Sequence, residues 1–127
     1  MNQPDQDFKG VIIEESLTDS NVLKDMQITN TKVEPVTARH KTPWVKQWTL
    51  HNVSILNNKA EDIAKKLSKS LDDKHSWYAD FHNDSTHYII FYGKVFCIDR
   101  TKPKQYQAAT DYGLTQNIPS YQLSFGL

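Results

Sequence analysis

A chain of 127 residues with 15 Lys plus Arg against 15 Asp plus Glu carries no formal net charge and holds one cysteine. That length suits a single domain with one adequate core, and the charge balance leaves no long-range field to draw in a phosphate backbone or an anionic membrane. A lone Cys97 excludes an internal disulfide and a cysteine-based zinc site, and five Phe, six Tyr and three Trp are too many large core-formers for a disordered chain.

Residues 1–7, polar and interrupted by Pro4, are expected to form a flexible tail, leaving 8–127 as one domain. The β-branched run Val11-Ile12-Ile13 predicts a strand over about 8–15, and Val22, Leu23 and Met26 predict a turn or two of helix after the cap-forming Asp19-Ser20. Alternation over Ile28–Val36 predicts a second strand, and Pro43 makes about 37–43 a loop. A third strand is expected over about 45–55, where apolar parity changes between Leu50 and Val53 and so places a bulge near His51-Asn52.

Ala60, Ile63, Ala64, Leu67 and Leu71 recur at helical spacing and predict a helix over about 59–72, with Asn58 and Glu61 as its capping pair. The stretch WYADFHNDSTHYIIFYGKVFCIDR reads as three antiparallel strands near 77–82, 87–92 and 95–100, with Gly93-Lys94 at the centre of the second turn. Pro103 opens a second helix of about 103–112 with Tyr106, Ala109 and Thr110 facing inward and Gly113 as its cap. Ile118-Pro119 and the alternating Tyr121, Leu123 and Phe125 predict a docked, extended C-terminal segment. The fold class is therefore α+β: an antiparallel sheet of five or six strands with two main helices packed on one face.

The segments TPWVKQWTLHNVSI, WYADFHNDSTHYIIF and KVFCIDR, followed by YQAATDYG and IPSYQLSF, resemble a group of small uncharacterised prokaryotic proteins to which no activity is attached. The resemblance covers nearly the whole chain and implies a free-standing cytoplasmic protein. It implies no catalytic residue.

Chemistry concentrates in the C-terminal meander. Pairing 82 with 87 and 92 with 95 puts Tyr78, Asp80, His82, His87, Ile89, Phe91, Phe96, Ile98 and Arg100 on one face, with His87 opposite both His82 and Arg100. Two imidazoles, a carboxylate and a guanidinium can bind an anion or a divalent metal, or run general-base chemistry. The competing reading is a solvated sheet edge. If the helices cover the other face, Ile89, Phe91, Phe96 and Ile98 stay open unless the C-terminal segment or a second chain covers them, which makes them interface candidates.

Arg39, His40, Lys41 and Trp44 form a basic loop that, with Lys46, could contact nucleic acid, although the net charge argues against it. His51 is expected as a strand residue satisfied by a neighbour, and Glu14-Glu15 are general acid or base candidates at a strand end, the two carboxylates expected on opposite faces. Cys97 is expected as a buried hydrophobe. No GxSxG, HExxH, P-loop or GxGxxG motif occurs, so no cofactor and no metal is indicated. The sequence points to a small non-enzymatic binding or interaction protein that pairs with a protein or with itself. A small enzyme or anion- or metal-binding protein built on the meander cluster is the alternative, a membrane partner is not expected, and a nucleic-acid module ranks last.

Overall fold

A computed structural model describes residues 6–40, 42–123 and 125. Six strands, β1 (Phe8–Ile13), β2 (Gln27–Pro35), β3 (Gln47–Ile55), β4 (Ala79–His82), β5 (Thr86–Phe91) and β6 (Lys94–Asp99), form one antiparallel sheet in the order β2-β3-β1-β4-β5-β6. The two main helices are α1 (Ala60–Ser70) and α2 (Lys104–Thr115). The α+β class and strand number are as expected. Among the described residues, no helix is long and apolar enough to cross a membrane.

Period-2 alternation sorts the apolar side chains onto two faces. Phe8, Ile12, Val53, Ile55, Phe81 and Ile90 line the first face, where α1 lays Ala60, Ile63, Ala64 and Leu67 against them. A 3-10 turn over Ser20–Asp25 completes this core with Val22 and Leu23. The end of α1 is tied down from both sides: Thr18 N–H donates to the Ser70 carbonyl at 2.7 Å, Gly93 N–H donates to the Ser68 carbonyl at 3.1 Å, and the Ser68 hydroxyl donates to the Phe91 carbonyl at 2.9 Å.

The expectation that both helices share one face is corrected. On the second face, α2 and the C-terminal segment bury Ile89, Phe91 and Ile98 beneath Tyr106, Ala109, Ile118, Leu123 and Phe125. The physical reason is the apolar content of β5, which points large side chains to both sides and needs cover on both. The same packing removes Ile89, Phe91, Phe96 and Ile98 as interface candidates, because the chain covers them itself: the first, second and fourth are 0, 1 and 2% exposed and Phe96 packs at the margin.

Several local expectations also change. Gly113 does not cap α2. The helix runs on to Thr115, and Gly113 supplies room for Leu123, whose Cδ2 lies 2.6 Å from where a Cβ would stand. The stop is a Schellman arrangement in which Asn117 takes a positive φ of 65°, Ile118 N–H donates to the Gly113 carbonyl and Asn117 N–H to that of Leu114. Asn58 forms no side-chain cap on α1, which instead follows a 3-10 turn over Asn57–Lys59. The bulge lies in β2, between Ile28 and Asn30, not at His51-Asn52 of β3. Gln6 and Asp7 are not loose, since Gln6 accepts from Asn57 and Asn83 side chains and Asp7 Oδ1 accepts the Asn57 N–H at 3.0 Å; residues 1–5 lie outside the described residues.

Gly10 is required where β1 and β4 approach. A Cβ there would stand 2.5 Å from the Asp80 carbonyl oxygen and 2.8 Å from Phe81 Cβ. Gly10→Ala is therefore expected to lower the unfolding free energy by about 1–3 kcal/mol, the usual cost of overpacking, read as a lower urea midpoint with an unchanged m-value. An unchanged midpoint would show that the two strands do not pack this closely.

Candidate functional site

The tight turn at Asn83–Thr86 sets the site. Asn83 Oδ1 accepts the backbone N–H groups of Ser85 at 3.0 Å and Thr86 at 2.8 Å, the local bonding that makes Asn a turn former. His82 then pairs with His87, as the sequence predicts, and their rings lie 5.5 Å apart. The β5–β6 register differs by two residues from expectation: Ile90 pairs with Val95, and the turn is Tyr92-Gly93, with Gly93 in the second central position at φ 74°. A slip of two keeps every side chain on its expected face but moves the partner of His87 from Arg100 to Ile98. Arg100 sits one step further out, its backbone N–H donating to Ser85 O and its guanidinium to Asn83 O.

His87 is the buried centre. Its side chain is 4% exposed and lies between Asp80 Oδ2, 2.7 Å from Nε2, and the Tyr106 hydroxyl, 2.9 Å from Nδ1. A carboxylate only accepts, so Nε2 carries the proton toward Asp80, and in the neutral ring Nδ1 accepts from the Tyr106 O–H. Tyr106 reaches this point because α2 crosses the second face. Asp80, 34% exposed, stands where that cover stops.

Beyond Asp80 neither α1 nor α2 covers β1, β3 and β2 on the second face, and a cleft of about 670 Å³ opens there. Val11, Ile13 and Leu50 make its floor, Trp48, Trp77 and Tyr78 its aromatic walls, and Glu34, Arg39, His40 and Asp80 its charged or titratable edge. Most polar groups of the lining are turned inward. Trp48 Nε1 donates to Thr42 Oγ1 at 2.9 Å, Tyr78 O–H donates to the Gln122 carbonyl, and Ser76 O–H donates to the Gln116 carbonyl. Glu34 lies 3.3 Å from Lys32 through Oε1 and 3.5 Å from His40 through Oε2. Burial, with the charge of Asp80 adding to it, pushes the Tyr78 phenol above its ordinary range, so Tyr78 stays a neutral donor.

Of the five meander candidates, Tyr78 and Asp80 line the cleft and His87 supports Asp80 from behind. His82 lies in a shallower groove with Lys9, Val11 and Asn52, and Arg100 is exposed at the sheet end. Of the basic-loop candidates, Arg39 and His40 reach the cleft, Trp44 stacks on His75 at 4.1 Å, and Lys41 lies outside the described residues. Cys97 is exposed, not buried, because β6 is an edge strand. Glu14 and Glu15 sit in a 3-10 turn, not a strand, so both reach β3: Glu14 Oε1 lies 2.9 Å from His51 Nε2, and Glu15 accepts from the Thr49 N–H and hydroxyl. Among the described residues, no group of three His, Cys, Asp or Glu is arranged to hold a metal ion.

His82 titrates in a useful window. Burial disfavours its charged form, the neighbouring His87 ring and the Arg100 guanidinium add to this, and Asp80 and Asp84 oppose it, leaving its pKa below the ordinary 6.5. The folded state thus takes up this proton less readily than the unfolded chain, so its share of stability is complete above pH 6.5 and is lost as pH falls through the depressed folded value. His82→Gln is expected to flatten the decline of the urea midpoint between pH 7.5 and 5, and parallel declines in variant and parent would contradict this.

Comparison of the chain with protein-family models, with curated proteins and with solved structures finds no match.

Proposed function

We propose that this chain is a small non-enzymatic binding protein whose ligand lies in the cleft on the open half of the second sheet face. The observation that carries the reading is the position of Asp80 at the border between covered and open sheet, buttressed by the buried His87 and presented to a cavity of about 670 Å³. That volume falls within the range of small-molecule sites, which are mostly apolar with few polar groups. Binding is favoured over turnover because the imidazole does not reach the cleft: with a side chain 4% exposed, His87 can orient Asp80 but cannot exchange a proton directly with a bound molecule.

Titration of the ¹⁵N-labelled protein with benzylamine, benzyl alcohol and benzoate in turn tests the reading. At least one fragment is expected to shift the Trp48 indole N–H and the amides of Val11, Leu50 and Asp80 together. Shifts scattered over the surface for all three, or none, would overturn it.

A further inference from the structure

We infer that the cleft recognises a protonated amine carried on a flat apolar body. The inference rests on the binding reading above and names the ligand class. Asp80 spends one oxygen, Oδ2, on His87, and among the described residues Oδ1 accepts no hydrogen bond. Asp80 is 34% exposed and lines the cleft, so the free oxygen is available to a donor there. The other carboxylate of the lining, Glu34, is engaged through both oxygens by Lys32 and His40.

The donors of the lining favour no anion. The Trp48 indole N–H and the Tyr78 and Ser76 hydroxyls are committed to Thr42, Gln122 and Gln116, and Arg39 is itself partnered. Trp77 Nε1 is closed off from the surface and, among the described residues, has no partner within hydrogen-bonding geometry. Asp80 thus offers a ligand a negatively charged acceptor in a lining that includes the rings of Trp48, Trp77 and Tyr78, and aromatic rings suit both a cation and a flat apolar body. A charge-assisted bond to a carboxylate is about twice as strong as a neutral one, so the ammonium group is the best match to the free Asp80 oxygen.

The cross-strand neighbour of Asp80 supplies a test. Val11 pairs with Asp80 on the same face and is 44% exposed, so Val11→Lys puts an ammonium group beside Oδ1 with no core residue disturbed. Benzylamine, benzyl alcohol and benzoate share a ring and differ in charge. Benzylamine is expected to bind at least about tenfold more tightly than benzyl alcohol, with benzoate weakest. Asp80→Asn should erase most of that difference, and Val11→Lys should abolish benzylamine binding at unchanged Tm. Equal cleft binding of benzylamine and benzyl alcohol, tighter binding of benzoate, or an amine preference that survives Val11→Lys would overturn the amine assignment and leave the binding site standing. No binding by any of the three would overturn both.

Discussion

Phe91→Ala is expected to lower the unfolding free energy by about 3–5 kcal/mol, the range for removing a fully enclosed aromatic ring. Phe91 is 1% exposed, and its ring centroid lies 5.0 Å from that of Tyr112, 5.9 Å from Phe96 and 6.0 Å from Tyr78. These neighbours come from α2, β6 and the approach to β4, so they cannot all relax into one cavity. A domain has about 5–15 kcal/mol to lose, and the variant should unfold at markedly lower urea with its m-value retained. On a sheet with helices on one side only, Phe91 would be partly solvated and the loss would fall near 1 kcal/mol or below. The size of this effect therefore decides whether the sheet is covered on both sides.

The second large effect is at His87. Replacement by alanine removes a buried ring and leaves the Tyr106 hydroxyl without its partner inside the core, while Asp80 Oδ2 loses a donor at 2.7 Å. Breaking a buried hydrogen-bonded pair costs about 3–5 kcal/mol, but Asp80 is 34% exposed and water can replace its lost bond, so about 2–4 kcal/mol is expected. Tyr106→Phe keeps the ring and removes one bond, for about 1 kcal/mol. The two substitutions should be less than additive, because once His87 is gone the hydroxyl has no bond left to lose. Additive losses in a double-mutant cycle would show that the two side chains do not touch.

The meander was readable because two tight turns separate runs that alternate strictly. Even with Ile90 opposite Val95 instead of Tyr92 opposite Val95, the paired residues of β4, β5 and β6 keep their faces, since a two-residue slip preserves parity. The contact of His87 with Arg100 did not survive that slip, and the contact of His87 with Asp80 replaced it.

The side taken by α2 was not readable. Its inward residues Tyr106, Ala109 and Gly113 mark a buried stripe but do not say which sheet face receives it. That choice depends on the path from Asp99 to Pro103 and on the burial demand of Ile89 and Phe91, a matter of tertiary packing. The cleft was hidden for the same reason: Val11, Leu50 and Trp48 become its lining only because α2 stops short of them. Glu14 and Glu15 show the local limit, where a 3-10 turn in place of the last two expected strand residues swings both carboxylates onto β3.

The most direct test of the account is a long-range ¹H–¹⁵N spectrum of the five histidine rings, with His87→Gln and His82→Gln to assign them. His87 is expected to show a slowly exchanging Nε2–H and an Nδ1 resonance that moves in Tyr106→Phe. A His87 ring protonated at Nδ1 alone, exchanging as fast as His82 and indifferent to Tyr106→Phe, would contradict the claim that a buried imidazole holds Asp80 at the mouth of the cleft.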